Sequence, residues 1–143
     1  MRKVADVLAR KGNSAIAVLP SDTVMQALKL MSDKNIGSVV VKDSAGNYLG
    51  IVTERDYSRK VILHGRNSTE TKVEEIMSKD LPKISMHDTM EYCMGLMSDK
   101  NVRYLPVFAG DKLAGIISMS DVVKETILAQ QETIDHLKQY ITL

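Results

Sequence analysis

Leu30-Met31-Ser32-Asp33-Lys34-Asn35 occurs a second time, letter for letter, as Leu96-Met97-Ser98-Asp99-Lys100-Asn101. The copies stand 66 positions apart in a chain of 143 residues. An identity of that length is rare by chance, so the chain reads as one unit written twice. Such a repeat decides the fold before any local propensity does.

At the same offset, Asp22-Thr23 matches Asp88-Thr89 upstream. Val24, Ala27, Leu28 and Met31 recur in class as Met90, Cys93, Met94 and Met97, which is one apolar face of a helix. Asp88 stands at the N-cap position of a capping-box spacing ending at Glu91. Downstream, Ile36 to Val41 matches Val102 to Val107, and both runs read as buried β-branched strands. The turn-rich stretches 43–47 and 109–112 read as hairpin loops. Beyond them, Gly50-Ile51-Val52-Thr53-Glu54-Arg55-Asp56 matches Gly115-Ile116-Ile117-Ser118-Met119-Ser120-Asp121. With brief strands at 15–19 and 81–85 and a helix after each hairpin, each unit reads β-α-β-β-α. One unit alone is marginal in size for a stable core. Two units packed face to face with pseudo-two-fold symmetry would share one and leave equivalent clefts between the halves.

Residues 1–12 read as a helix with Val4, Val7 and Leu8 on one face and Gly12-Asn13 as its stop. Val73-Glu74-Glu75-Ile76-Met77 resembles the start of that helix, so the repeat includes a lead-in. The tail is helical in pattern. Val123, Ile127, Ile134, Leu137 and Ile141 form an apolar seam broken at Gln130. Two readings stand side by side: a helix packed on its own domain, and a helix across a dimer interface.

Composition narrows the function classes. The net charge is +1, which gives no broad nucleic-acid or membrane signature. No apolar run approaches the ~18–20 residues of a spanning helix. No signal-peptide pattern opens the sequence, and the one cysteine forbids a disulfide framework within the chain. A reducing, cytoplasmic location is expected. Cys93 reads either as a reactive thiol or as a buried core residue. Nucleotide-loop and zinc-protease motifs are absent, and His64, His87 and His136 share no register, so no metal site is expected. No clustered acid–base pair points to an enzyme.

The pairs Thr53/Asp56 and Ser118/Asp121 carry what chemistry there is. A hydroxyl N-cap with an acid three residues on satisfies orphan amides and complements the helix dipole, which alone accounts for both. A second use is open to them: a carboxylate at a strand-to-helix junction can accept both hydroxyls of a ribose. Arg55, Arg59, Lys60 and Arg66 crowd the first junction. They read as a solvated face or, through the arginine forks, as phosphate ligands. Arg103, matched by Gly37 in the first half, reads as a strand-end charge or a phosphate ligand.

Asn-Ile-Gly-Ser-Val-Val-Val with Gly-Ile-Val-Thr-Glu-Arg-Asp, followed in the second copy by Asn-Val-Arg-Tyr-Leu-Pro-Val with Gly-Ile-Ile-Ser-Met-Ser-Asp, resembles a tandem pair of cystathionine-β-synthase (CBS) domains, a Bateman module. The resemblance covers about residues 7–128 and implies an α/β (α+β) fold. It divides the chain into CBS domain 1 (7–64), a linker with lead-in helix (65–75), CBS domain 2 (76–129) and a C-terminal helix (130–143). It further implies a non-enzymatic sensor holding AMP, ADP, ATP, NAD or S-adenosylmethionine in the clefts between repeats. Thr53, Asp56, Ser118 and Asp121 would hold ribose. Ile16, Ile51, Pro82 and Ile116 would line the base, and Arg55, Arg59, Arg66 and Arg103 would face phosphate. A homodimer is implied as well, without nucleic-acid or membrane partners. The alternatives are a ligand-free interaction module acting through dimerisation or a protein partner and, more remotely, a nucleotide-processing enzyme.

Overall fold

The computed structural model describes residues 2–12 and 15–142, the side chain of Thr142 excepted. Met1, Asn13 of the helix stop, Ser14, and Leu143 of the tail lie outside the described residues. In chain order the elements are α1 (Val4–Lys11), β1 (Ala17–Val18), α2 (Val24–Lys34), β2 (Ser38–Lys42), β3 (Tyr48–Thr53), α3 (Glu54–Tyr57), β4 (Ile84–Ser85), α4 (Met90–Lys100), β5 (Tyr104–Ala109), β6 (Lys112–Ser118) and α5 (Met119–Thr142). The protein is mixed α/β, with one three-stranded sheet per CBS-type repeat, ordered β1-β2-β3 and β4-β5-β6. The chain divides into two compact units: Ala15–Leu81, and Met1–Ser14 together with Pro82–Leu143.

The repeated six residues end each first long helix in the same way. Asn35 and Asn101 both adopt the left-handed conformation, with φ 53° in each. The next amide then bonds back to the methionine carbonyl of the hexapeptide, Ile36 N to Met31 O at 2.9 Å and Val102 N to Met97 O at 3.0 Å. This is the left-handed helix ending that, after glycine, asparagine tolerates best because its short amide can bond locally. It aims the chain directly into β2 and β5.

The helix starts differ from the sequence expectation in one respect. Thr89, not Asp88, is the N-cap of α4, accepting from Tyr92 N at 3.2 Å. Asp88 instead accepts from Ser85 N at 2.7 Å and closes the preceding turn. In the first repeat Thr23 caps α2, with Gln26 completing the box, and Asp22 accepts from Leu19 N. The extended backbone of Thr89 (φ −87°, ψ 161°) suits a cap, and its hydroxyl reaches the orphan amide.

Each sheet joins a parallel pair through its helix and an antiparallel hairpin. The ladders even share a register shift, at Val41/Lys42 and at Val107/Phe108. Val24, Ala27 and Met31 pack on Val39, Val41 and Val52, and Met90, Cys93 and Met97 pack on Leu105, Val107 and Ile117. Met94, placed by spacing on that face, is 37% exposed. Burial pushes the Cys93 thiol up to about 11, so it is a protonated core group at neutral pH.

The lead-ins are exchanged. Val73 and Ile76 enter the core of the first repeat, whereas Val4, Val7 and Leu8 enter the core of the second. Equivalent bonds fasten them, Val73 N to Asp22 O at 2.8 Å and Val4 N to Asp88 O at 2.9 Å. The helix carrying Val7 and Leu8 therefore packs with the second repeat, which the sequence boundaries of 7–64 and 76–129 do not show. The second lead-in is a 3₁₀ turn (Val73–Glu75) rather than a helix. After β3 the helix passes from α3 into a π-helical turn, Ser58–Ile62. After β6 it runs unbroken for 24 residues, so there is no separate helix beginning at 130.

Candidate functional site

The sites grow from the ends of β3 and β6. Thr53 ends β3 in extended conformation and starts α3 with a reciprocal box. Its hydroxyl accepts from Asp56 N at 3.0 Å, and Asp56 Oδ2 accepts from Thr53 N at 3.0 Å. Ser118 and Asp121 repeat this at 3.1 and 2.8 Å. The first amide of each helix is taken by the residue before the middle strand, Glu54 N by Gly37 O and Met119 N by Arg103 O. The capping reading of both pairs is thus realised.

Beyond the boxes the two carboxylates differ. Asp56 is buried, and its Oδ2 also receives the Thr53 hydroxyl at 3.1 Å. Its Oδ1 receives the Ser78 hydroxyl and the Lys60 ammonium, each at 3.0 Å. Asp121 is half-buried, and its Oδ2 receives Lys11 Nζ at 2.7 Å. Among the described residues, no donor stands on Asp121 Oδ1. Burial would raise the Asp121 carboxyl, but the Lys11 ammonium and the Ser118 amide outweigh it and hold the pKa below the ordinary value of 3.8.

The apolar candidates take different places. Ile51 is fully buried in β3 and pairs across the ladder with Val40. Its backbone exchanges hydrogen bonds with Ser78 at 3.0 and 2.8 Å. That bridge is what brings the Ser78 hydroxyl to Asp56. It also explains Gly50: a Cβ there would lie 2.7 Å from Ser78 O. Ile116 is half-buried opposite Pro106, and its carbonyl receives Lys11 Nζ at 3.0 Å. Ile16 and Pro82 are half-buried just ahead of β1 and β4.

The basic candidates stand on different elements. Arg66 pairs with Glu75 and so braces the lead-in turn. Arg59 is exposed on the π turn, Arg55 is half-buried in α3, and Arg103 is exposed ahead of β5. Of the cations that do reach the acids, the sequence places Lys60 at the first junction but not as a partner of Asp56, and it singles out neither Lys11 nor Ser78. Lys60 had a signal, four residues after Asp56 on one helix face. Lys11 had none, being 110 positions from Asp121.

Among the described residues no helix is long and apolar enough to cross a membrane. The CBS-domain family model matches residues 4–62 and 73–127, each match starting at a lead-in. A CBS domain-containing protein of Arabidopsis thaliana, CBSX3, named as mitochondrial, is 37% identical over 96% of this chain and 71% of its own. A solved protein with CBS domains from Burkholderia ambifaria superposes with a TM-score of 0.85, at 43% identity, covering 90% of this chain and 96% of that one. A hexameric CBS-CP12 protein from bloom-forming cyanobacteria superposes at 0.74, with 30% identity over 86% of this chain and 70% of that one. The repeated hairpins, the paired strand-to-helix junctions and these matches agree: the chain belongs to the CBS-domain family, as a tandem pair.

Proposed function

We propose that this CBS pair is a regulatory protein, not an enzyme, that binds an adenosine-containing ligand at its Thr/Ser-x-x-Asp junctions. The observation that carries the reading is Asp121. Its capping box and Lys11 engage Oδ2, and among the described residues Oδ1 has no donor. Ribose hydroxyls are donors suited to that oxygen. At Asp56 they would have to displace the Ser78 hydroxyl and Lys60. AMP, ADP, ATP, NAD and S-adenosylmethionine all present the same ribose, with Arg55, Arg59 and Arg103 as candidate phosphate groups and Ile51, Ile116, Ile16 and Pro82 as candidate base neighbours. A reducing interior such as the cytoplasm suits the lone buried thiol.

Calorimetry with AMP, ATP and NAD on wild type and on Asp56→Ala and Asp121→Ala tests this. Losing a hydrogen bond to a charged acceptor costs about 1.5–3 kcal/mol, so each variant should weaken its site about ten- to a hundred-fold. A wild type that binds no adenosine compound would end the sensor reading. A second reading, an interaction module, draws on α5, where Val123, Ile127, Ile134, Leu137 and Ile141 are 44–80% exposed. Under either reading we take α5 as the homodimer face.

A further inference from the structure

We propose that Lys11, carried on the N-terminal helix, is a specificity-determining residue of the Asp121 site and selects anionic adenosine ligands over neutral ones. This rests on the adenosine reading above. Lys11 Nζ donates to Asp121 Oδ2 at 2.7 Å and to the Ile116 carbonyl at 3.0 Å. It therefore touches both the acid assigned to ribose and the residue assigned to the base. Its side chain is 36% exposed.

The position of Lys11 is fixed by more than its own contacts. Val4, Val7 and Leu8 of α1 are buried in the core of the second repeat. Arg2 and Arg10 both pair with Glu125 on α5, which is 1% exposed. The helix that carries the ammonium is thus clamped to the helix that carries Asp121. The aligned lead-in of the first repeat has Asp80, not lysine, at the place of Lys11, and Asp56 draws on Lys60 of its own helix instead.

The chemistry follows from charge. Lys11 neutralises Asp121, so the site can take a ribose without presenting a bare carboxylate to the phosphate attached to it. A phosphate within several ångströms of the ammonium is attracted by it; without Lys11 the charge of Asp121 is no longer offset and repels the same phosphate. Neutral adenosine, held by its ribose at Asp121, carries no charge to feel that attraction or repulsion. The flexible lysine stem lets the ammonium lean towards phosphate while Asp121 keeps its box with Ser118.

The test is site-resolved. Isoleucine methyl groups are labelled in the full chain, and the Ile116 methyl reports this site while Ile51 reports the other. Adenosine, AMP and ATP are titrated into wild type, Lys11→Gln and Lys11→Arg. Followed at Ile116, Lys11→Gln should weaken AMP and ATP by about tenfold or more, change adenosine by no more than about twofold, and leave Ile51 titrations as in wild type. Lys11→Arg should restore most of the AMP affinity. Equal weakening of adenosine and AMP would reduce Lys11 to a structural support and overturn the proposal. AMP binding at Ile116 unchanged in Lys11→Gln would also overturn it, while leaving the adenosine reading intact. A wild type in which neither methyl responds to any of the three ligands would end both.

Discussion

Arg2 and Arg10 converge on Glu125, and removing the two arginines is expected to destabilise the protein far more than removing the glutamate. The asymmetry comes from where water can reach. The Glu125 side chain is 2% exposed, whereas those of Arg2 and Arg10 are 27% and 42% exposed. In Arg2→Met/Arg10→Met a carboxylate is left buried without its cations, a situation that costs about 3–5 kcal/mol. In Glu125→Met the guanidinium groups turn to solvent and the thioether fills the vacated volume. What is lost is then the worth of two partly exposed ion pairs, together less than about 2 kcal/mol. Adding Glu125→Met to the double arginine variant should recover most of its loss, because the uncompensated charge is gone.

Urea unfolding followed by circular dichroism measures all four proteins. The order expected is wild type, Glu125→Met, the triple variant, then the double arginine variant. If the double arginine variant is as stable as Glu125→Met, Glu125 is not held by these cations and the clamp reasoning fails. The same experiment bears on Lys11, since a loosened α1 carries Lys11 away from Asp121.

Gly50→Ala should destabilise by about 1–3 kcal/mol, since the new Cβ meets the Ser78 carbonyl at 2.7 Å; unchanged thermal unfolding and unchanged Ile51 amide exchange would contradict the close approach. Asp121 has its pKa lowered on folding, so its stabilisation is complete above the unfolded value and is lost as pH falls through the folded one. The stability gap between wild type and Asp121→Asn should therefore narrow from about pH 5 towards pH 2, as read by urea titrations across that range. Light scattering should give a dimer for wild type and a monomer for Leu137→Glu, whose side chain is 57% exposed in the protomer; a dimer in both would remove α5 from the interface.

The fold was legible because two levels of pattern agreed. The hexapeptide carried a left-handed asparagine cap in each copy, and the apolar period changed from helix to strand on its far side. Capping at Thr53 and Ser118 was legible because its partners lie within three residues. Asp88 misled because aspartate serves equally as a helix cap and as an acceptor within a turn, and the letters do not say which amide comes near. The boundary expected between 129 and 130 had no stop signal behind it: no glycine or proline lies between Ile116 and Leu143, and α5 simply continues.

The exchange of lead-ins lay beyond the sequence for a physical reason. Val4, Val7 and Leu8 offer the same apolar pattern as Val73, Ile76 and Met77, and each fits a sheet edge that the repeat makes nearly identical. Apolar burial is non-directional, so such letters state that a face is covered but not which copy covers it. The polar groups break the tie. Ser78 is bonded to Ile51 on both its N–H and its carbonyl, so the second lead-in cannot continue as a helix and stops after one 3₁₀ turn. The first lead-in has no such bridge among the described residues, and Ala9-Arg10-Lys11 prolongs it as a helix. That extra turn carries Arg10 to Glu125 and Lys11 to Asp121. Two junctions built on the same hydroxyl-x-x-Asp spacing thus acquire their cations from different parts of the chain. One acid is bonded by a lysine four residues away and a serine, and the other, with no donor on Oδ1 among the described residues, takes its lysine from the N-terminal helix.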